Sequence, residues 1–362
     1  MDYKVKECVL QAVYRDTHEI AQADIPWELL NGTTVLITGG GGFIGGYLAL
    51  ALLTRNDIAD AHIKVIALVR NAARAEKKYG DLLQRDDFSL CVQDVNQPIK
   101  AERADYVIHA ASQASNLQFE NDPVGTISAN LTGTQNVLEY AKKSGAKATL
   151  IVSSLKVYGT IYGNQNKIRE EDCGYLDFTY YKNCYAMGKR ASETLASGYC
   201  REYGMNVRLA RPSYIYGAAT LDDDRVWAQF IANIVRGEDI LLKSNGAANR
   251  SFCYVTDTAT ALLTVLLKGK NATPYNIANE MSDTTIRGFA QAACEAFPER
   301  QIHLRFANPA DEKEPLEVRS PLRQVPEILD NSKLIALGWI PKISLKEGIR
   351  RAVAVLEEQK LS

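Results

Sequence analysis

Tyr185 and Lys189 are the two residues of this sequence whose types and spacing could most directly move a proton. They are four positions apart in a stretch that predicts a helix, so their side chains share one face of it. A free phenol has a pKa of about 10, which is too high for a base at neutral pH. A nearby lysine ammonium would favour the phenolate and lower that pKa. The pair could therefore take the proton of a carbinol while a hydride leaves the same carbon.

Ser154 could act on the same substrate oxygen. It follows an apolar stretch at 149–152 that predicts a strand, and its hydroxyl can donate a hydrogen bond. In open α/β sheets, ligands bind beyond the carboxyl ends of the strands. A Tyr-x-x-x-Lys pair alone is common in surface helices, so its position after a strand ending in serines is what favours a site. The candidate catalytic residues are Ser154, Tyr185 and Lys189.

A glycine-rich turn at residues 39–45 predicts the binding site of a dinucleotide. A strand pattern at 35–38 precedes it and an apolar helical pattern at 43–53 follows it. Gly39 would allow the sharp turn, Gly42 would let a pyrophosphate come close, and Gly45 would let the helix lie on the sheet. A positively charged nicotinamide ring bound there would also lower the pKa of Tyr185.

The second predicted strand, 64–69, ends in Arg70 and Asn71 and has no acidic residue there. An acid at this point would bind the ribose 2′-hydroxyl of NAD, whereas an arginine accommodates a 2′-phosphate. The sequence therefore favours NADP over NAD. After the third strand, Asp94 could meet the adenine amino group. Small residues after the fourth strand would let the backbone approach a ligand: Ala110, Ala111 and Ser112.

Strand and helix patterns alternate up to about residue 212, which predicts a doubly wound parallel α/β sheet of the Rossmann type. We expect an N-terminal helical extension at 1–30, a dinucleotide-binding domain at 31–212 and a smaller substrate-binding lobe at 213–362. One apolar segment of the lobe, near 251–268, is predicted to return to the main sheet. The helix predicted in the extension is expected to pack on the body or on a second subunit.

The composition excludes several classes of function. The chain has 42 basic and 43 acidic residues, so nothing indicates a nucleic-acid or membrane-surface partner. Its seven cysteines form no C-x-x-C pair and its four histidines lie apart, so no metal site is predicted. Residues 33–54 carry no charge, but six glycines divide them into a strand and a helix, not a membrane span. We expect a soluble, cytoplasmic protein.

Motifs spread over about residues 32–356 match one family. They are Thr38-Gly39-x-x-Gly42-Phe43-Ile44-Gly45, His109-Ala110-Ala111-Ser112, Asn130-x-x-Gly133-Thr134, Ser153-Ser154-x-x-Val157-Tyr158-Gly159, Tyr185-x-x-x-Lys189 and Asn249-Arg250-Ser251-Phe252-x-Tyr254-Val255-x-Asp257. With them the sequence resembles the extended short-chain dehydrogenases/reductases of the nucleotide-sugar epimerase/dehydratase group. It is most similar to the UDP-glucuronate decarboxylases, through Cys184-Tyr185-x-x-Gly188-Lys189-Arg190 and Asp224-Arg225-Val226.

The resemblance implies transient oxidation at C4 of a sugar attached to a nucleoside diphosphate. Tyr185 would be the base, Lys189 would hold the cofactor ribose, and Ser154 would polarise the C4 oxygen. It also implies NAD(P) as cofactor and a homodimer built on helices near 131–144 and 185–203. The implied cofactor contacts are Gly39, Gly42, Phe43, Ile44, Gly45, Arg70, Asn71, Asp94, Val95, Ala110, Ala111, Ser112, Asn130, Ser153, Tyr185, Lys189 and Pro212. The implied substrate contacts are Ser154, Lys156, Tyr214, Arg225 and Arg250, with Arg250 on the diphosphate.

Two departures from the family pattern bear on the reaction. Where the decarboxylases carry a glutamate and the 4,6-dehydratases an Asp-Glu pair after the catalytic serine, this chain has Leu155 and Lys156. We therefore expect no second acid/base there, which disfavours decarboxylation and dehydration. Lys156 could instead pair with a substrate carboxylate, such as that of a uronate. The second departure is Tyr214, where the family usually has an asparagine.

The remaining reactions act at C4 alone. A redox-neutral 4-epimerase is favoured, because the most similar subgroup is redox-neutral. An NADPH-dependent 4-keto-sugar reductase is the alternative, since Arg70 favours NADP. A non-catalytic dinucleotide sensor is the rival from another class, and the complete Ser154, Tyr185 and Lys189 set argues against it.

Overall fold

A parallel sheet forms the centre of the molecule, which the computed structural model describes for residues 3–313 and 323–361. The strands are β1 (Thr34–Thr38), β2 (Lys64–Val69), β3 (Phe88–Val92), β4 (Tyr106–His109), β5 (Ala148–Val152), β6 (Val207–Pro212), β7 (Tyr214–Tyr216), β8 (Ile240–Leu242), β9 (Asn249–Tyr254), β10 (Pro274–Ile277), β11 (Asp283–Thr285) and β12 (Leu304–Phe306). Within the described ranges, seven of them form the main sheet in the order β10-β6-β5-β4-β1-β2-β3, and each pairing is parallel.

Helices cover both faces of this sheet. The α-helices of the described residues, those of the C-terminal lobe included, are α1 (Val5–Cys8), α2 (Gln11–Ala21), α3 (Phe43–Ala59), α4 (Ala72–Tyr79), α5 (Asn116–Asn121), α6 (Pro123–Ser144), α7 (Cys184–Tyr203), α8 (Val226–Arg236), α9 (Val255–Lys268), α10 (Ile286–Ala296), α11 (Ala310–Lys313), α12 (Ser332–Ile335) and α13 (Leu345–Leu361). On one face Leu48 of α3 packs with Ile37, and on the other Val137 of α6 packs with Leu36. Burial on both faces explains why the strands are apolar throughout. The predicted doubly wound parallel α/β sheet is confirmed.

The C-terminal lobe adds two small sheets to the described part of the chain. One has the order β11-β9-β7 and the other pairs β12 with β8. The strand of the 251–268 segment, β9, therefore does not join the main sheet, whereas the helix that follows, α9, contacts β5 and β6. The seventh strand of the main sheet is β10, beside β6. The apolar and buried second half of β9 gives no sign of which sheet will bury it.

The N-terminal extension packs on the body as two helices, α1 and α2, separated at Val9 and Leu10. Helix α2 contacts α3, α9 and α13. Tyr254 donates a hydrogen bond of 2.6 Å to the buried Asp16 carboxylate of α2. The uncharged residues 33–54 form β1 and most of α3, and no helix among the described residues is long and apolar enough to cross a bilayer.

Candidate active site

The glycine turn lies between β1 and α3 and leaves room where a phosphate would approach. Gly39 has a φ of +70°, which a residue with a side chain rarely adopts, and a Cβ there would lie 2.9 Å from the Ala110 backbone. A Cβ at Gly45 would collide with the Gly39 carbonyl oxygen. At Gly42, the N-cap of α3, the nearest atom to an added Cβ is Gly39 O at 3.0 Å. This cradle, which side chains would fill, fits a dinucleotide pyrophosphate at the start of α3.

A cavity of about 310 Å³ adjoins the turn and extends past the ends of β2, β3 and β4. The structure brings together seven residues of the predicted cofactor set around it: Gly39, Arg70, Asp94, Val95, Ala111, Ser112 and, against Gly39, Ala110. Ser112 donates a hydrogen bond of 2.8 Å to Asn130, which places that residue of α6 beside the cavity. The residues that line the cavity fit the adenosine half of a dinucleotide.

Other predicted cofactor residues have local roles in the fold. Asn71 caps α4 by accepting a hydrogen bond from Arg74 N at 2.9 Å. Phe43 lies with its ring centroid 6.4 Å from that of Trp227, and Ile44 packs against the core. Ser153 donates its hydroxyl hydrogen to Glu193. Pro212 is buried at the end of β6.

The three candidate catalytic residues meet at the carboxyl end of β5. Ser154 directly follows β5 and its side chain is hydrogen-bonded to Tyr185, the second residue of α7. Lys189, one turn further along α7, is buried and donates a hydrogen bond of 2.7 Å to the Val152 carbonyl. Its ammonium lies 5.8 Å from the centroid of the Tyr185 ring. Tyr185 and Lys189 share one face of α7, as their spacing predicted, and that face lies against the end of β5 where Ser154 is found.

Burial dominates the electrostatics of this trio. Burial raises the pKa of Tyr185, and the Ser154 hydrogen bond and the Lys156 charge only partly oppose it. In the chain alone the pKa of Tyr185 is therefore raised, whereas the sequence led us to expect lowering by Lys189 and a nicotinamide ring. Burial also lowers the pKa of Lys189 to about 8. The Phe119 ring of α5 stacks on the Tyr185 ring, with the centroids 5.0 Å apart.

Four further side chains form a charged group beside the trio, which we call the Glu327 cluster: Lys156, Tyr214, Arg250 and Glu327. Lys156 Nζ lies 2.8 Å from Tyr214 Oη and 3.0 Å from Glu327 Oε1. Glu327 Oε2 accepts a hydrogen bond from Tyr214 and forms an ion pair with Arg250, whose Nη1 lies 2.9 Å away. The structure thus joins three of the predicted substrate contacts through a carboxylate that the sequence analysis did not identify.

The charges in the Glu327 cluster stabilise one another. Burial tends to raise the pKa of Glu327, but Lys156 and Arg250 outweigh it and hold that pKa below its usual value. Burial tends to lower the pKa of Lys156, but Glu327 and Tyr214 outweigh it and raise that pKa. Both groups are therefore ionised at neutral pH. Positions 155 and 156 themselves supply no carboxylate, but Glu327 brings one to Lys156 from 171 positions away.

Arg225, the fifth predicted substrate contact, lies apart from this cluster. It pairs with Asp223 through two side-chain hydrogen bonds of 2.8 and 2.7 Å. Its guanidinium lies over the Trp227 ring, 4.6 Å from the centroid. Arg225 therefore connects the start of α8 to the preceding loop.

A buried ion pair beneath the site was also not predicted. Arg211 of β6 binds the Glu193 carboxylate of α7 with two hydrogen bonds of 2.9 and 2.6 Å. Arg211 also donates to the Tyr158 hydroxyl at 3.0 Å. Since Glu193 accepts from Ser153, this network fixes the end of β5 relative to the helix that carries Tyr185. No local pattern marks these partners, since they come from three separate elements.

The comparisons with known proteins agree with this architecture. The sequence model of the NAD dependent epimerase/dehydratase family matches residues 35–278. UDP-glucuronic acid decarboxylase 1 of Arabidopsis thaliana is 33% identical over 331 residues, which cover 88% of this chain and 69% of the relative. A UDP-glucose 4-epimerase of Thermotoga maritima, solved with UDP-glucose, aligns with a TM-score of 0.74 at 23% identity and covers 91% of this chain and 100% of its own.

A second solved structure is the UDP-glucuronic acid 4-epimerase of Bacillus cereus in complex with UDP-glucuronic acid and NAD. It aligns with a TM-score of 0.70 at 19% identity, over 91% of this chain and 100% of its own. The glycine cradle and the doubly wound sheet define a dinucleotide-binding enzyme of the extended short-chain dehydrogenase/reductase class. The chain belongs to the NAD-dependent epimerase/dehydratase family. The similarity to UDP-glucuronate decarboxylases predicted from the motifs is confirmed.

Proposed function

We propose that this chain is a nucleotide-sugar 4-epimerase that acts by oxidation and re-reduction at sugar C4. The observation that carries the proposal is the hydrogen-bonded pair of Ser154 and Tyr185 at the end of β5, with Lys189 one helical turn away. Beside these three residues, Lys156 is a cation and Glu327 is an ionised carboxylate with a lowered pKa. Neither Lys156 nor Glu327 is a ready proton donor. Dehydration and decarboxylation would each need a proton donor near sugar C5 and C6, so both reactions are disfavoured.

Each residue of the trio has a separate task in this proposal. Tyr185 takes the proton of the C4 hydroxyl and later returns it, while Ser154 donates a hydrogen bond to the C4 oxygen. Lys189 is held by the Val152 carbonyl, where it can bind the cofactor ribose and favour the Tyr185 phenolate. The bound nicotinamide cofactor supplies reversible hydride exchange at C4. The names of the relative and of both solved structures support uridine diphosphate as the nucleotide.

The proposal predicts that the purified enzyme interconverts UDP-glucose and UDP-galactose with no net consumption of cofactor. Tyr185→Phe should lower kcat by about a hundredfold or more, because the base is lost. The matched control is Tyr203→Phe, since Tyr203 lies exposed at the end of the same helix and should leave kcat unchanged. Products are followed by chromatography of the nucleotide sugars.

Three outcomes contradict the 4-epimerase. Stoichiometric loss of NADPH absorbance with a nucleotide-linked 4-keto-6-deoxy sugar would identify the reductase. Release of carbon dioxide and a UDP-pentose from UDP-glucuronate would identify a decarboxylase. If Tyr185→Phe changed neither an activity nor a ligand response, the sensor would be the better account.

We also propose that the cofactor carries a 2′-phosphate. The support is Arg70, which ends β2, is exposed, and lines the cavity beside Gly39 and Asp94. Arg70→Ala should weaken NADP binding about tenfold or more and change NAD binding little, as calorimetry would show. Arg74→Ala is the control, because Arg74 is exposed on α4 outside the residues that line the cavity. Tighter binding of NAD than of NADP by the unchanged enzyme would contradict the proposal.

The homodimer and the cytoplasmic location stay predictions. The outer face of α6 exposes three apolar side chains at helical spacing: Val124, Ile127 and Leu131. This face supports association through the helices near 131–144 and 185–203, because exposed apolar stripes are typical of protein interfaces.

A further inference from the structure

In the Glu327 cluster, the cations Lys156 and Arg250 are both paired with the carboxylate of Glu327. Lys156 and Arg250 both contact the Glu327 carboxylate, at 3.0 and 2.9 Å, and each also lies over the Tyr214 ring, about 5 Å from its centroid. All four side chains are at least half-buried, so the ion pairs are only partly screened by water. An anion on the substrate would have to compete with Glu327 for these cations.

The backbone holds Glu327 in place independently of its side-chain partners. Ser251 N donates to Glu327 O at 3.1 Å, and Leu329 N donates to Ser251 Oγ at 3.0 Å. Ile168 N donates to Ile328 O at 2.7 Å, which ties the same segment to the loop after β5. These bonds anchor the backbone of the Glu327 segment between β9 and the loop after β5, which places the carboxylate beside Lys156.

Once a nucleoside diphosphate is bound, the two cations of the cluster no longer both pair with Glu327. If Arg250 turns to the diphosphate, as the family resemblance implies, Glu327 keeps Lys156 and Tyr214. Lys156 and Glu327 then form a neutral pair beside Ser154, the residue that binds the C4 oxygen. In a pyranose the C6 group is carried on the carbon next to C4, so a C6 carboxylate would lie close to this pair. It would approach Glu327 as well as Lys156, and like charges brought together weaken binding.

We propose that Glu327 is a specificity-determining residue that makes this enzyme favour neutral hexoses over uronates. By holding Lys156 in an ion pair, it withdraws the cation that would otherwise bind a C6 carboxylate. The inference rests on the proposed C4 chemistry and replaces the expectation from the sequence that Lys156 pairs with a uronate. The hydroxymethyl group of a hexose carries no charge and meets no such repulsion.

The test compares UDP-glucose with UDP-glucuronate in four variants and the unchanged enzyme. Both kcat/KM and the dissociation constant from calorimetry are measured for each sugar. The unchanged enzyme should prefer UDP-glucose, and Glu327→Gln should shift the ratio toward UDP-glucuronate by about tenfold or more, because Lys156 is released. Lys156→Met should shift it the other way. Since the two substitutions change opposite charges, Lys156→Met supplies a second reading if Glu327→Gln does not fold.

The double variant separates specificity from general damage. Lys156→Met combined with Glu327→Gln should return the ratio to within about threefold of the unchanged enzyme, because no freed cation remains. Glu280→Gln is the matched control: Glu280 pairs with Lys167 at 2.7 Å in the same lobe, and its loss should leave the ratio unchanged.

The outcomes distinguish this inference from the proposed function. If both sugars are converted but the ratio does not move in Glu327→Gln, or if the unchanged enzyme prefers UDP-glucuronate, the inference is wrong and the C4 chemistry stands. If deuterium from the solvent enters sugar C5 and Glu327→Gln abolishes it, Glu327 is a base and the inference is wrong. If neither sugar binds the unchanged enzyme, the proposed function itself fails.

Discussion

Asp283 is a carboxyl group hydrogen-bonded to Ser251, the serine that anchors the Glu327 segment. It accepts a hydrogen bond of 2.6 Å from Ser251 Oγ, the same oxygen that accepts from Leu329 N. Burial raises its pKa from 3.8 to about 6, with Glu280 adding to the shift and Ser251 and Lys167 opposing it. The folded state therefore binds this proton more tightly than the unfolded chain does.

The sign of the resulting pH dependence follows from linkage. Because the folded-state pKa exceeds 3.8, Asp283 favours folding most below that value, and this contribution is lost as the pH rises to about 6. Asp283→Asn keeps an acceptor for Ser251 but cannot titrate. We expect the free energy of unfolding of the variant, relative to the unchanged protein, to rise across this window. Urea unfolding at several pH values measures it.

Asp60→Asn is the control for this prediction, since the Asp60 side chain is 87% exposed. It replaces a different carboxylate by an amide and leaves the hydrogen bond between Asp283 and Ser251 in place. An Asp283→Asn variant with the same pH dependence as the unchanged protein would show that Asp283 titrates equally in the folded and unfolded states.

The residues that could be predicted from the sequence are those fixed by local spacing. Tyr185 and Lys189 share a helix face, and Ser154 ends a strand, so sequence distance determines their relation. Glu327 meets Lys156 only because the chain returns after 171 positions, and Arg211 meets Glu193 across two elements. Contacts of that kind depend on tertiary packing, for which a single sequence carries no period or motif.

Helix α2 depends on a contact from the far end of the chain. Glu358 of α13 accepts hydrogen bonds from Gln11 N at 2.7 Å and Ala12 N at 2.9 Å, which are unpaired donors of the first turn of α2. The carboxylate also lies at the positive end of the helix dipole. Glu358 therefore caps the N-terminus of α2 from another helix. Leu10, the residue at the N-cap position, has no side-chain acceptor for these amides.

Glu358→Ala should lower the free energy of unfolding by about 1 kcal/mol, the usual cost of losing a helix cap. Hydrogen exchange should speed up at the amides of Gln11 and Ala12. Glu357→Ala is the comparison, because Glu357 pairs with Arg300 and has no contact of this kind with α2. Equal exchange at those amides in both variants would mean that Glu358 does not cap α2.

Elements were predicted best where the hydrophobic period was long. Strands β1, β2, β4 and β5 and helix α3 follow mainly apolar runs. The extension was expected to be one helix and forms two. The break at Val9 and Leu10 could not be predicted, because it contains no glycine or proline. The stretch 251–255 was recognisable as an apolar segment, but the pairing of β9 with β7 and β11 depends on the lobe around it.

At the scale of the whole molecule, one sheet separates the proposed cofactor half of the site from the proposed sugar half. Strand β1 lies between β2 and β4, and the strand order reverses there: β2 and β3 follow on one side and β4, β5 and β6 on the other. At such a reversal a crevice opens at the carboxyl end of the strand. The glycine turn occupies that crevice, and the cavity continues along β2, β3 and β4. Ser154 and the Glu327 cluster lie on the other side, beyond β5 and β6. The lobe completes the sugar half through β7, β9 and the segment around Glu327.

The central claim, redox chemistry at C4 alone, is tested most directly by the fate of the sugar hydrogens in deuterated water. UDP-glucose is incubated with the enzyme and the products are read by proton NMR. We predict UDP-galactose that keeps its original hydrogen at C4 and takes up no deuterium at C4, C5 or C6, because Tyr185 exchanges only the hydroxyl proton. Deuterium at C5 or C6, or a product changed at C6 with no C4 epimer, would contradict the account.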